Sequence, residues 1–408
     1  MSDKPPTALV LYHFLHPDEV VSSILVSELC AGLASRGWRV IGSACNREWG
    51  HEDKKHPLRS TWNGVEFRRV WRPKFRQSSG FGRLANAAWM IAAWSLMALD
   101  WRVRPDVVVI GTDPILSPLV ALTWRPLRPG VKVAHWCFDL YPEAAIAAGL
   151  LRDGSILVRT LKQLLRWAYR RCALVVDIGM CMRRRLDLYD SRARKETITP
   201  WALVEPDTPA PVDPVERQVL FGDATIGLLY SGSFGLAHSW TGIPELAKIL
   251  APRGAKIVFS VQGNAVAELR SAMQEAEAPV GFAPFAPNHL LGTRLGAADV
   301  HVVSLRESWT GTVVPSKFFA ALAIGRPVLF LGSSDSAVAR WIEEFRIGWV
   351  LSGENLEAVA EDLVRSLQSN CRAQLFEHCL GVYRKHFSKD RALNSWHSAL
   401  SSIKSTVL

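Results

Sequence analysis

Short apolar runs of β character alternate with stretches of helical apolar spacing along almost the whole chain, and the alternation breaks once, at the proline-dense segment 198–212. Parallel strands require long crossover connections, usually helices, so this order commits the chain to parallel sheets covered by helices, an α/β architecture. The first run is Ala8 to Leu11, followed by the loop His13-Phe14-Leu15-His16-Pro17, helical spacing from Val20 to Arg36, a stop at Gly37 and a second run from Trp38 to Ile41. Further β runs fall at Val107–Ile110, Val131–Trp136 and Leu174–Ile178, with helices expected around 82–103, 115–126 and 155–171. Pro200, Pro206, Pro209 and Pro211 then read as a linker, which sets a domain boundary near residue 210. Beyond it the alternation restarts, with strands at Ile226–Tyr230, Lys256–Val261, Val280–Phe282, Val300–Ser304 and Val328–Leu331. Helices are expected from Gly242, from Ala265, and over Ser316–Ala323 and Ser336–Phe345. With 408 residues there is enough chain for two doubly wound domains, each burying its own core.

Composition narrows the partners. At 49% hydrophobic and 21% charged residues the chain is globular, and seven cysteines without CxxC or Cys/His spacing read as reduced, buried thiols. The start MSDKPPTALVLYHF lacks the pattern of a secretory signal, so a cytoplasmic protein is expected. The most apolar stretch, Leu84 to Leu99, is shorter than the ~20 residues of a spanning helix. A net charge of +10 calls for an acidic partner, and nucleic acid, anionic lipid and a phosphorylated substrate all qualify. No zinc finger, RNA-recognition or helix-turn-helix signature supports nucleic acid.

In such sheets the loops at the carboxyl ends of the strands carry ligand chemistry. Tyr230-Ser231-Gly232-Ser233-Phe234-Gly235 is read as a loop after the first strand of the second domain, where small residues let backbone N–H groups approach a phosphate, or simply as a tight turn. Neither GxGxxG nor GxxxxGK[ST] is present, which counts against dinucleotide and P-loop enzymes. Ser308-Trp309-Thr310-Gly311-Thr312-Val313-Val314-Pro315-Ser316-Lys317 runs from a strand into a helix, with Ser316 as candidate N-cap and Lys317 able to meet a diphosphate or to stand as a solvated helix residue. Gly263, after the next strand, is a further candidate for nucleotide contact. In the first domain Asp139-Leu140-Tyr141-Pro142-Glu143 ends a buried strand, and Asp139 is a candidate base or orienting group for an acceptor hydroxyl, or an ordinary turn aspartate. Tyr141, Glu143, His13 and His16 are placed at the rim of the same site.

With these residues in order, the sequence resembles the GT-B glycosyltransferases of the large retaining family 4, in its branch acting in O-antigen, colanic-acid and exopolysaccharide assembly. The resemblance rests on His16-Pro17-Asp18 before a helix ending Leu33-Ala34-Ser35-Arg36-Gly37, on Pro105-Asp106-Val107-Val108-Val109, on Asp139-Leu140-Tyr141-Pro142-Glu143 with Gly149, and on Asp177-Ile178-Gly179 with Met182. It continues through Tyr230-Ser231-Gly232, Ala297-Ala298-Asp299-Val300-His301-Val302-Val303, Val313-Val314-Pro315-Ser316-Lys317 and Leu322-Ala323-Ile324-Gly325-Arg326-Pro327-Val328. It implies an acceptor domain over 1–210, a nucleotide-sugar domain over 211–380, and a segment 381–408, helical over about Val382–Ile403, returning to the first. The implied reaction retains anomeric configuration in a cleft between the domains, needs no metal or other cofactor, and uses a nucleotide-diphosphate sugar, UDP-linked by preference. Asp139 and Lys317 are the implied catalytic residues. Ser231, Gly232, Ser233, His238, Gly263, Trp309, Thr310, Gly311, Thr312, Val313, Val314 and Ser316 are the implied donor contacts.

Three departures stand out. Trp309 and Lys317 occupy the positions of two glutamates found in many relatives, the usual Arg and Lys after the Gly232 loop are missing with only His238 nearby, and Phe138 replaces a histidine before Asp139. A catalytically inactive scaffold and a sugar-nucleotide epimerase are the competing readings on the same fold. Arg68, Arg69, Arg72, Lys74, Arg76 and Arg83 precede the apolar 84–99 segment, a pattern that fits peripheral attachment to an anionic membrane surface, where a saccharide or lipid-diphosphate-linked acceptor would lie, and equally a core helix beside a basic loop.

Overall fold

The computed structural model describes residues 4–405 and divides into two compact units, one formed by the chain up to Thr199 together with the stretch from Ala392, the other by Pro200–Arg391. The division thus falls at Thr199, ahead of most of the proline-dense segment.

In the first unit eight strands are ordered β10-β9-β8-β7-β1-β2-β6-β5. They are β1 (Thr7–Leu11), β2 (Arg39–Ser43), β5 (Arg59–Trp62), β6 (Val65–Arg68), β7 (Val107–Gly111), β8 (Lys132–Trp136), β9 (Leu174–Asp177) and β10 (Arg194–Thr197), with β3 (Arg47–Glu48) and β4 (His51–Lys55) making a separate hairpin. All pairings in the large sheet are parallel except β5 with β6. The central strands are near-continuous apolar runs because helices cover both faces: every residue of β7 is buried. Strands β5 and β10 lack that signature, being short, partly exposed and polar, and β6 buries only Val65 and Phe67, in alternation with Glu66 and Arg68.

Two local signals set the helices α1 (Val21–Ser35) and α2 (Gly80–Met97). Gly37, at φ +85°, takes the left-handed conformation that ends α1. The Ser79 hydroxyl accepts the Gly82 N–H and starts α2, which stops at Met97, short of the expected 103. The expected helix 115–126 is a 3₁₀ turn, Ser117–Val120, continued by α3 (Ala121–Leu127). Helices α4 (Glu143–Ala147), α5 (Ile156–Tyr169) and α6 (Met180–Asp187) complete the unit.

The second unit holds a six-stranded, wholly parallel sheet in the order β13-β12-β11-β14-β15-β16: β11 (Ile226–Ser233), β12 (Ala255–Gln262), β13 (Val280–Ala283), β14 (Val300–Ser304), β15 (Val328–Leu331) and β16 (Gly348–Leu351). Helices α7 (Pro214–Phe221), α8 (Ile243–Leu250), α9 (Val266–Glu275), α10 (Leu291–Gly296), α11 (Lys317–Ala323), α12 (Ala337–Phe345), α13 (Leu356–Ser366) and α14 (Ser369–His386) connect and cover it.

The expected single helix over 382–403 is two: α14 ends at His386 and α15 runs from Lys389 to Ser405. Between them Phe387 is buried among Phe318, Phe319 and Trp341, which anchors the break. From Ala392 on, α15 packs against the first unit. Arg36 Nη2 donates to Asn394 Oδ1 at 2.8 Å, Trp396 stacks edge-on against Trp136 at 5.0 Å, and a Cβ on Gly32 would stand 2.6 Å from Leu393, so glycine is what admits the helix.

Candidate active site

Among the parallel strands of each sheet the order reverses once, between β1 and β7 in the first and between β11 and β14 in the second. Crevices form where the loops leaving two such strands diverge to opposite faces, and ligands in open α/β sheets bind there. Both units carry a polar cluster at that place.

In the first unit a cavity of about 470 Å³ is lined by Tyr12 and Phe14 after β1, Thr112, Asp113 and Ile115 after β7, Asp139 and Tyr141 after β8, and Glu52, Gln77 and Arg83 from the region between. Thr112 fastens the two later loops together: its hydroxyl donates to the Trp136 carbonyl at 3.2 Å and accepts the Phe138 N–H at 2.8 Å. That link fixes Asp139. Burial, then the charge of Asp113, pushes the Asp139 carboxyl up to about 6. Behind it His13 is 0% exposed, not at a rim as the sequence suggested, because the main chain continues inward from β1. Its Nδ1 lies 3.3 Å from Asp113 Oδ1. Burial alone would lower the imidazole's pKa, but the charge and contact of Asp113, with a smaller contribution from Cys45, raise it to about 9. Asp113, which the sequence reading missed, therefore connects His13 to Asp139. A strand end at the order reversal was the signal that would have found it.

Two further acceptor-site expectations are redirected. His16 stacks on Trp62 at 4.3 Å and lies outside the cavity lining. Glu143 is buried and accepts the Tyr189 hydroxyl at 2.8 Å, away from the cavity, because it begins α4 and points into the core. Tyr141 lines the cavity, its phenol held up to about 12 by burial and then Asp139.

In the second unit Tyr230 to Ser233 are not a loop: β11 runs through Ser233, since the equally long β12 offers ladder partners as far as Gln262. The small residues still matter, because Gly232 sits at φ +123° and a Cβ there would stand 2.9 Å from Lys317 Cε. The Lys317 stem occupies that space, and its ammonium lies 5.2 Å from the centre of the Tyr230 ring and 3.5 Å from His238 Nε2. Among the described residues no carboxylate pairs with it, and burial pulls its pKa down to about 8. It is therefore no solvated helix residue. His238 Nδ1 lies 2.9 Å from the Ser304 carbonyl, and burial, then Lys317, lowers that imidazole to about 4. A neighbouring hollow of about 360 Å³ is lined by Ser239, Trp240, Thr241, Arg306 and Glu307.

The remaining donor-site expectations divide by geometry. Trp309, Thr310, Gly311, Thr312 and Val313 form a tight turn, with Gly311 at φ +80° and a Thr310–Val313 bridge. Thr312 is buried and its hydroxyl donates to the Trp309 carbonyl at 2.7 Å, which makes it a turn residue. Val314 is buried; Ser316 is exposed, flanks α11, and makes no side-chain cap. Gly263 is required by packing, since a Cβ would lie 2.4 Å from the Phe234 carbonyl oxygen. Among the described residues no group of three or more His, Cys, Asp or Glu side chains is arranged to hold a metal ion.

Residues 23–201 match the family model described as a glycosyl transferase 4-like domain. The chain is 27% identical over 251 residues to the probable glycosyltransferase WbjE of Pseudomonas aeruginosa, a match covering 60% of this chain and 62% of that protein, so it spans about three fifths of that relative. In structure it is similar to sucrose-phosphate synthase from Thermosynechococcus elongatus, with a TM-score of 0.70, 14% identity, and 98% of this chain and 99% of that one covered. Anabaena HepE in complex with UDP and glucose gives a TM-score of 0.67 at 13% identity, covering 97% and 100%.

Proposed function

We propose that the chain, whose residues 23–201 match the glycosyl transferase 4-like domain and whose fold is GT-B, is a retaining glycosyltransferase moving a sugar from a nucleotide-diphosphate sugar to a saccharide or lipid-linked acceptor. The observation that carries this is Lys317, a desolvated cation without a carboxylate partner at the order reversal of the second sheet. A cation so placed is stabilised by an anionic ligand, and a leaving diphosphate supplies one. The donor is assigned to the second unit and the acceptor to the first. In transfer, the bond between the acceptor oxygen and the anomeric carbon forms as the bond to the diphosphate breaks. The diphosphate departs with the electron pair, its growing charge met by Lys317. Asp139, ionised above pH 6, accepts the hydrogen bond and the proton of the acceptor hydroxyl. The UDP and glucose held by HepE support UDP as the carrier.

A thermal-shift series with UDP, GDP, dTDP and ADP tests the reading, because a ligand that binds only the folded state raises the midpoint by mass action. One nucleotide, UDP first, is expected to raise it; no rise with any of the four favours an inactive scaffold.

The acceptor side is expected at an anionic membrane surface on the cytoplasmic side. No described helix is long and apolar enough to cross a membrane. Yet α2 exposes Phe81, Leu84, Trp89 and Leu96 at helical spacing, and Lys74, Arg76 and Arg83 lie beside them. An apolar face flanked by cations is the requirement for interfacial binding. The protein should sediment with vesicles containing anionic lipid and remain in the supernatant with neutral ones; equal partition into both supernatants would remove the membrane from the reading.

A further inference from the structure

The loop after β11 is tied to the end of β14 by four hydrogen bonds. The Arg306 N–H donates to the Ala237 carbonyl at 2.8 Å and Arg306 Nε to the His238 carbonyl at 2.8 Å. The Ser239 N–H donates to Ser304 Oγ at 3.2 Å, and His238 Nδ1 reaches the Ser304 carbonyl at 2.9 Å. A carbonyl only accepts, so the last contact requires the proton on Nδ1 and leaves the Nε2 lone pair free. That lone pair points at Lys317 Nζ, 3.5 Å away. The ring stays neutral, because protonating it would set two cations together in a desolvated place.

We infer that His238 is a positioning residue: locked in one tautomer by the Ser304 carbonyl, it accepts from the Lys317 ammonium and holds that cation in the space left by Gly232, where the donor's diphosphate would meet it. The inference rests on the donor site proposed above and goes beyond it in assigning His238 no direct contact with the nucleotide. A carboxylate in its place would hold the lysine equally well but would neutralise it and repel the diphosphate. A neutral acceptor orients the cation and leaves its charge for the ligand. The ring of Tyr230 completes the enclosure from the other side without adding a charge. Gly232 is the third part, since any side chain there would displace the Lys317 stem.

The test compares wild type with His238→Gln, which keeps an acceptor near the Nε2 position, His238→Leu, which removes it, and His238→Glu, which adds a charge. Affinity for UDP is read by titration calorimetry, with inorganic diphosphate as a probe independent of the base. The pH dependence of Lys317 acetylation by acetic anhydride is read by peptide mass spectrometry. For His238→Leu we expect about tenfold or greater loss of UDP and diphosphate affinity, the scale of one hydrogen bond to a charged group, and at least as much for His238→Glu. His238→Gln should stay within about threefold of wild type. The acetylation midpoint of Lys317, near 8 in the wild type, should rise in His238→Glu and change in His238→Leu, while His238→Gln leaves it in place. A residue that merely supports the loop would lower the melting temperature in all three variants and move neither reading. Wild-type affinity and an unmoved acetylation profile in His238→Leu overturn the inference. Should the wild type bind neither UDP nor diphosphate, the donor reading falls, while the acetylation profiles still decide whether His238 holds Lys317.

Discussion

The two sheets place their polar clusters at the same topological point and give them opposite charge. In the first unit a buried imidazole, His13, is matched by Asp113, and a second carboxyl, Asp139, has its pKa raised by burial and then by the charge of Asp113. In the second unit a half-buried cation, Lys317, is matched by no carboxylate among the described residues and leans on a neutral imidazole. The order reversal creates the crevice in both, whereas the residues at the strand ends decide what it can bind. Carboxyls accept hydrogen bonds from hydroxyls; an uncompensated ammonium attracts an anion. The contrast is what the proposed division into an acceptor unit and a donor unit draws on.

The strongest way to break the contrast is Lys317→Ala. If Lys317 is the anion-binding charge, its removal should lower nucleotide affinity by about a hundredfold, the upper range for a desolvated charge-assisted contact. The apoprotein should melt no lower, since a desolvated cation is lost. Calorimetry against UDP and a melting curve decide it: unchanged affinity would leave the second unit without an identified anion site.

Asp139→Asn probes the first unit. The turnover number should fall about a hundredfold, the usual scale for a missing general base, while the dissociation constant for UDP stays put. In the wild type, activity should decline as pH falls through about 6, where Asp139 takes up a proton, and the variant should lack that acid limb. A variant that loses nucleotide affinity in step with rate would place Asp139 on the donor side and dissolve the distinction drawn between the units.

Much of this architecture is legible in the sequence because buried parallel strands are near-continuous apolar runs; β1, β7, β8, β11, β12, β14 and β15 all show that pattern. Strands β5 and β10 are partly exposed and polar and β6 only alternates, so none forms the continuous apolar run that marks the others, although β5 and β6 pair across the two-residue turn Asn63-Gly64. The site follows the same rule. Asp139 and Lys317 stand out as charged residues at the ends of apolar runs, whereas Asp113 gains its role only when β7 is laid beside β1, and Glu143 loses its role when Tyr189 arrives from forty-six residues away. Gly232 reads as a loop glycine until the Lys317 side chain is seen lying where its Cβ would be.

The smallest expected effects are on stability, and they should run in opposite directions with pH in the two units. The folded chain holds a proton on Asp139 up to about 6 where an ordinary aspartate releases it at 3.8, so folding is favoured at low pH and that contribution is lost as pH rises through 6. Asparagine cannot ionise. Asp139→Asn should therefore melt higher than wild type at pH 7.5, by about 1 to 2 kcal/mol once the carboxyl's partial exposure is allowed for, and show no such gain at pH 4. Lys317, lowered from 10.5 to about 8, behaves as the mirror image: its charged form weighs against folding below pH 8, and that burden disappears as pH rises through 10.5. Lys317→Met should accordingly gain stability at pH 7 and lose the gain in strong alkali. Matching pH profiles for the two variants would mean that the carboxyl and the ammonium are not each strained by their own burial, and the opposition of charge between the two crevices would then be geometric only.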